Sequence, residues 1–371
     1  MVIHKLLLNK DLAHIIRLIR TQNIGPITFF KLLEKYKTPL NAINNLSTFL
    51  KKSNPSIKIY SEELAQREIE LALKQNIHIV SYLDEFYPPL LKNIDDKPPI
   101  LFVKGNLNLL KKSAIAIVGS RNCTINGKNL ANNFAQNLGK NGFLVVSGLA
   151  RGIDTSAHIG ALEKGTIAFL GGGVDIIYPL ENKKLYEDIS NKGALVSEFP
   201  IGSSPIASNF PKRNRLISGM SRGVLLIEAS LTSGSMITAQ TAINQGREVF
   251  AVPGSPLDKN SSGTNELIKQ GAVLTQSIDD ILNNLNNYII KEESSNPYKP
   301  HLEIKDVDET SISKAKEYLL NVLSTTPIAL EILIQESNFD YNVLNNAILE
   351  LELLGKAIRL SNGYISLIGS I

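Results

Sequence analysis

The sequence predicts an α/β protein: a doubly wound, mostly parallel sheet set between a helical N-terminal unit and a C-terminal module of three helices and a hairpin. Three observations predict it. From Ile77 to about residue 290, short β-branched runs alternate with helical stretches, and glycine-rich turns follow several of the runs. Up to about residue 75 the apolar period is helical throughout, and beyond a polar stretch at 291–311 it becomes helical again before a final hairpin pattern.

In chain order, Leu12, Ile15, Ile16 and Ile19 fall at helical spacing, as do Leu64, Ile69, Leu71 and Leu73 with more noise. Asn23-Ile24-Gly25-Pro26 interrupts them ahead of an amphipathic stretch holding Phe29, Phe30, Leu32 and Leu33. The pattern over 1–75 suits a helix-hairpin-helix or SAM-like unit whose turn could hold a phosphate on free N–H groups, and it equally suits a plain helical turn. Expected strands follow at Ile77–Val80, Ala114–Val118, Phe143–Val146, Ile167–Leu170, Val224–Ile227 and Val249–Val252. They form a Rossmann-like domain over 76–290, whose ligands bind beyond the carboxyl ends of the strands. Residues 291–311, polar and proline-bearing, read as a linker. Within 312–371, helices at Lys314–Val322, Ala329–Glu336 and Tyr341–Leu354 precede Ala357–Leu360, a turn at Asn362-Gly363 and Tyr364–Leu367, which together make a winged helix. Leu344, Ile348 and Leu351 should form its core.

The totals narrow the function classes. The chain has 371 residues, 43% hydrophobic and 20% charged, enough for two or three globular domains. It has no long apolar run for a membrane span and no leader of the secretory kind, so it is expected in the cytoplasm, away from membranes. Cys123 is the single cysteine, which excludes an internal disulfide and a cysteine-based zinc site; the thiol reads as a spectator. A net charge of +4 permits a nucleic-acid partner without requiring one, so the placement of the cations has to decide.

Four loops after strands carry the candidate residues. Gly119, Ser120 and Arg121 offer close backbone approach, a hydroxyl and a forked cation, the parts of a phosphate cradle. The full G-x-G-x-x-G fingerprint is absent, because Arg121 and Thr124 occupy its later glycine positions; NAD is disfavoured and no cofactor is expected. In Ser147–Asp154 the cation is Arg151. Asp154 and His158, one helical turn apart, are either a hydrogen-bonded pair or a helix cap beside a packed histidine, and no third metal ligand stands near them. Gly171-Gly172-Gly173, with the segment from Tyr178 to Lys184, suits ligand approach or a plain turn.

The richest segment runs from Asn209 to Arg222. Lys212, Arg213, Arg215 and Arg222 lie there with Asn209, Asn214 and Phe210, a mix in which cations hold phosphates, the ring stacks on a base and amides reach base edges. Its cations are expected in solvent, so that replacing Arg213 or Arg215 would leave stability nearly unchanged. Gly234, Ser235 and Thr238 open a further helix, whose start can receive an anion. For acid-base chemistry the candidates are Glu228 and the pair Asp154/His158, which keeps a nucleotide-processing, phosphoribohydrolase-like enzyme as the alternative; neither has a visible partner set, and a non-enzymatic role is expected.

Taken together, VGSR at 118–121, SGLARGIDTSAH at 147–158, FPKRNRLISGMSRG at 210–223 and SGSMITAQTA at 233–242 closely resemble the DNA-processing protein A (DprA/Smf) family. The resemblance covers roughly residues 77–290. It implies a protein that binds and protects single-stranded DNA in a basic pocket, forms a homodimer and helps load the RecA recombinase in natural transformation. It also implies variable flanks, commonly a SAM-like unit and a winged helix. Its binding pocket points to Arg121 and to Arg213, Asn214 and Arg215. One departure stands out: Leu180 occupies the place where members often have a lysine after Tyr-Pro, and Lys183 or Lys184 is the candidate substitute. Tyr341–Leu354 contains Glu350 and Glu352 and no Lys or Arg, with only Lys356 and Arg359 near the wing, so this module is expected to bind protein and not a major groove.

Overall fold

The computed structural model describes residues 2–50, 58–285, 309–354, 356–359 and 364–367. The chain divides into two compact units, Met1–Ile290 and Lys291–Ile371. The first begins with four helices, α1 (Val2–Arg20), α2 (Pro26–Tyr36), α3 (Pro39–Leu50) and α4 (Glu62–Lys74). Pro26 sits at the start of α2, where its fixed φ suits the helix and its missing N–H leaves no bond unmade. The buried face of α4 is Ala65, Ile69 and Ala72, whereas Leu64, Leu71 and Leu73 are exposed. This corrects the expected leucine face: small alanines let α4 lie close, and the leucines fall outside the contact. Ile16, Phe29, Leu32 and Leu46 share one core with Ile100, Phe102 and Val174, so the helices pack directly on the sheet domain.

The sheet has nine strands: β1 (His78–Ser81), β2 (Ile100–Gly105), β3 (Ala114–Val118), β4 (Leu144–Ser147), β5 (Thr166–Phe169), β6 (Ala194–Ser197), β7 (Gly223–Leu226), β8 (Glu248–Ala251) and β9 (Val273–Leu274). They lie in the order β1-β2-β6-β5-β4-β3-β7-β8-β9. Pairing is parallel from β6 through to β9 and antiparallel at β1–β2 and β2–β6. The expected strands recur within a residue or so. The sequence reading missed β2, β6 and the two-residue β9.

Alternation along the strands explains the two faces. Ala114, Ala116 and Val118 pack with Leu216, Ile217 and Met220 of α8 (Asn209–Met220) and with Ala239 and Ala242 of α9 (Gly234–Asn244). Ile115 and Ile117 face the other way, onto Phe134 and Leu138 of α5 (Ile125–Lys140) and Ala157 of α6 (Ile153–Ala161). The short helices α7 (Lys183–Lys192) and α10 (Ser262–Lys269) complete the layers. From β3 the chain runs outward through β4, β5 and β6, then returns to place β7 on the other flank of β3. That reversal marks the switch point of the sheet, at whose carboxyl edge a crevice is expected.

The second unit contains α11 (Glu309–Val322), β10 (Ile328–Ala329), α12 (Leu330–Glu336), α13 (Tyr341–Leu353), β11 (Ala357–Arg359) and β12 (Tyr364–Leu367), with sheet order β10-β12-β11. Leu344, Ile348 and Leu351 are buried with Leu319, Leu333 and Ile365, the core of a winged helix. Helix α11 starts at Glu309, so the last three residues assigned to the linker are helical; the rest of that segment, and the Asn362-Gly363 turn, lie outside the described residues. Among the described residues no helix is long and apolar enough to cross a membrane.

Candidate nucleic-acid interface

The loop after β3 is held from below by Glu228. Its main-chain oxygen accepts from Ser120 N (2.7 Å), while its carboxylate accepts from Thr124 N (2.9 Å) and from the Thr124 hydroxyl. Thr124 in turn caps α5 by accepting from Gly127 N. Glu228 is therefore a brace with its oxygens committed, not a free acid-base group. Anchored at both ends, the loop turns Arg121 out into solvent, where its guanidinium carbon lies 5.5 Å from the centre of the Phe210 ring. Cys123, half-buried beside it, has its thiol pushed up by burial and is correspondingly unreactive.

The loop after β4 is tied down at almost every main-chain group. Gly148 N and Ala150 N both donate to Asp154 Oδ2, Leu149 N donates to His158 Nε2, and Leu149 O accepts from Asn182 Nδ2. Asp154 and His158 thus serve the backbone of the loop before the helix and not each other: His158 is the packed histidine, but Asp154 is not the helix cap, since that position is Gly152 and carries no side-chain cap bond. Burial holds the His158 pKa down at about 3, so the ring is neutral. With Nε2 accepting, Nδ1 carries the proton and donates to Thr166 Oγ1 at 2.8 Å. Gly152 has φ +78°, and a side chain there would strike the Ser120 and Arg121 carbonyls, so only glycine lets the two loops touch. Arg151 projects from this turn, exposed, and pairs with the equally exposed Glu181 at 2.8 Å.

Helix α8 divides the expected cations. Arg213 is 3% exposed and donates through Nη1 to Gly148 O (2.6 Å) and Phe169 O, while its Nε has no partner. Burial pulls its pKa down to about 10, so it stays charged at neutral pH. Arg215 donates to Asp96 O (2.6 Å) and pairs with Asp96 and Glu198. Both were expected in solvent, and both are internal braces. The helical period carried the signal for Arg213, which lies three, four and seven residues before the buried Leu216, Ile217 and Met220. Asn209 is also buried, donating to Gly171 O at 3.0 Å. Lys212 is exposed but faces a second groove of about 610 Å3 beside Gly25, Pro26 and Arg215. Arg222 lies at the opposite, amino end of the sheet, its N–H on Ala114 O and its Nε on Ser113, which removes it from the group.

What remains converges. A cleft of about 600 Å3 is walled by Ser120, Arg121, Phe210, Asn214, Gly234 and Thr238. It deepens into a pocket of about 230 Å3 between Arg121, Gly148, Gly171, Tyr178 and Phe210. The Tyr178 and Phe210 rings stand 5.5 Å apart, and Tyr178 is a wall residue that the sequence reading named only as part of a loop. At the start of α9, Ser233 and Ser235 share a hydrogen bond through their hydroxyls, and both line the cleft with Gly234 and Thr238. Leu180 is 75% exposed, so the Tyr-Pro loop has no cation at that position; Lys183, exposed at the head of α7, lines neither cavity. The site can hold an anion on Arg121 and a flat ring against Phe210.

Three family models match the chain. The family model for DNA recombination-mediator protein A matches residues 78–286, that for the DprA-like N-terminal HHH domain residues 9–70, and that for the DprA winged helix domain residues 305–363. The chain is 48% identical over 204 residues to the DNA processing protein DprA of Streptococcus pneumoniae, covering 54% of this chain and 72% of that protein. It is 38% identical over 298 residues to Protein Smf of Escherichia coli, covering 79% and 78%. The X-ray structure of the S. pneumoniae protein superposes with TM-score 0.62 at 35% identity, covering 74% of this chain and 96% of that one. A structure giving the single-stranded DNA binding mode of DNA processing protein A from Helicobacter pylori superposes with TM-score 0.53 at 33% identity, covering 57% and 96%.

Proposed function

This chain belongs to the DNA recombination-mediator protein A (DprA/Smf) family, and on that premise we propose that it binds single-stranded DNA in the cleft at the carboxyl edge of its sheet. One observation carries the reading: an exposed cation, Arg121, lies on the half-buried ring of Phe210, at the mouth of a pocket large enough for one base. A strand whose bases are unstacked can offer a phosphate to the guanidinium and a base to the ring together, whereas a duplex keeps its bases inside. Gly119, Ser120, Arg121, Arg151, Phe210, Asn214, Gly234, Ser235 and Thr238 are proposed to meet the strand, and Lys183, which lines neither cavity, is set aside. Asn209, Arg213 and Arg215 hold the wall that those residues stand on.

The role is that of a cytoplasmic mediator, without catalysis, that protects incoming DNA and helps load the RecA recombinase, acting as a homodimer in natural transformation. The phosphoribohydrolase-like alternative draws no support from its candidates, since Glu228 braces Thr124 while Asp154 and His158 serve the loop after β4. A gel shift with matched single-stranded and duplex oligonucleotides tests the reading. Preferential retention of the single strand is expected, and equal or stronger retention of the duplex would refute it.

A further inference from the structure

We infer that His158 and Asn182 are positioning residues for the DNA cleft, clamping Leu149 in a left-handed backbone conformation so that Ala150 and Arg151 face the strand. The inference rests on the reading of the cleft as a single-stranded DNA site. Leu149 has φ +54° with its side chain fully buried, one of four non-glycine residues at positive φ among those described. A branched side chain in that region is strained and persists only where the surroundings impose it.

Here the imposing groups are identifiable. On one side of the peptide, His158 Nε2 accepts the Leu149 N–H at 3.3 Å; on the other, Asn182 Nδ2 donates to the Leu149 carbonyl at 3.0 Å. Both clamping side chains are themselves fixed. His158 is fully buried and bonded through Nδ1 to Thr166, whose hydroxyl donates to Val145 O. Asn182 also donates to Thr155 Oγ1, which donates to Ala150 O. The ring therefore presents a lone pair to Leu149 at any pH at which the protein is folded and near neutral. The leucine side chain completes the hold by packing with Leu170, Leu185 and Ile189.

The consequence lies in the next two residues. Gly148, Leu149, Ala150 and Arg151 line the inner pocket, and the following Gly152 abuts the Arg121 loop. If Leu149 relaxed to negative φ, the chain after it would rotate, carrying Arg151 away from Arg121 and opening the wall.

The test is a cycle between the clamp and the strain it holds. His158→Ala should fold and yet lose about fivefold or more in single-stranded DNA affinity. Amide exchange at Leu149 should accelerate while that of Val145 and Val146 in β4 does not. In a Leu149→Gly background, where positive φ needs no clamp, adding His158→Ala should change affinity by less than about twofold. Should His158→Ala not fold, Asn182→Ala, which leaves the imidazole in place, enters the same cycle. Wild-type affinity in the folded variant, or an equal loss in the glycine background, would overturn the inference. Failure of the wild-type protein to bind single-stranded DNA would instead sink the reading of the cleft, with the Leu149 exchange rate still reporting on the clamp.

Discussion

At neutral pH the Arg213 guanidinium is charged, buried and bonded to the carbonyls of Gly148 and Phe169. Replacing it with alanine strands two buried acceptors, and Arg213→Ala is expected to cost about 2–4 kcal/mol, seen as a lower urea midpoint at unchanged slope. An unchanged midpoint would put the guanidinium in solvent. His158 gives a second expectation, through linkage. Its folded pKa, about 3, lies below the ordinary 6.5, so the unfolded chain binds the extra proton first. Its contribution to stability is complete above pH 6.5 and is lost as pH falls from there toward 3. Across pH 6 to 4, wild type should lose stability relative to His158→Gln by about 1.4 kcal/mol per pH unit; parallel curves would mean an exposed or already charged ring. At this scale the sequence was partly legible. Arg121 and Phe210 were readable because their chemistry suits a phosphate and a base. The inward fate of Arg215 was not, because its partners Asp96 and Glu198 are distant in the chain and only the fold brings them together.

Helix α8 is the element on which the site turns. Its first turn offers Phe210 to the cleft and Lys212 to the second groove, and its last two turns are core. Phe210→Ala should weaken single-stranded DNA binding by about 1–3 kcal/mol, the range for one stacked base, with isothermal titration as the measurement. Undiminished affinity would mean that no base meets this ring. The strands that frame the site were legible because β3, β4, β5, β7 and β8 are short apolar runs, most of them followed within a few residues by glycine. β6 was missed although Ala-Leu-Val-Ser has the length and pattern of β4, and β2 escaped because it follows Pro98-Pro99 and joins the sheet antiparallel, outside the strand-helix rhythm. In α4 the period was read from Leu64, Ile69, Leu71 and Leu73, of which only Ile69 lies on the packed face, beside Ala65 and Ala72.

The whole molecule places its cleft, and both walls of it, within the first unit. The acidic α13 of the second unit buries its apolar residues in its own core and pairs Glu350 with Lys316. A truncation lacking residues 300–371 should therefore keep single-stranded DNA affinity within about threefold, by equilibrium fluorescence anisotropy. A loss of tenfold or more would bring the winged helix into the DNA site. Domain order was legible because each segment has its own apolar period, but the packing of the first four helices onto β2 was not, since it joins residues about seventy positions apart. The central claim, that Arg121 and its cleft are the single-stranded DNA site, is tested most directly by a salt titration of oligonucleotide affinity for wild type and Arg121→Ala. With about four to six phosphates neutralised, log K for wild type should fall against log salt with slope about −3 to −4, and Arg121→Ala should bind more weakly with a slope shallower by about 0.7. Identical affinity and slope in the two proteins would contradict it.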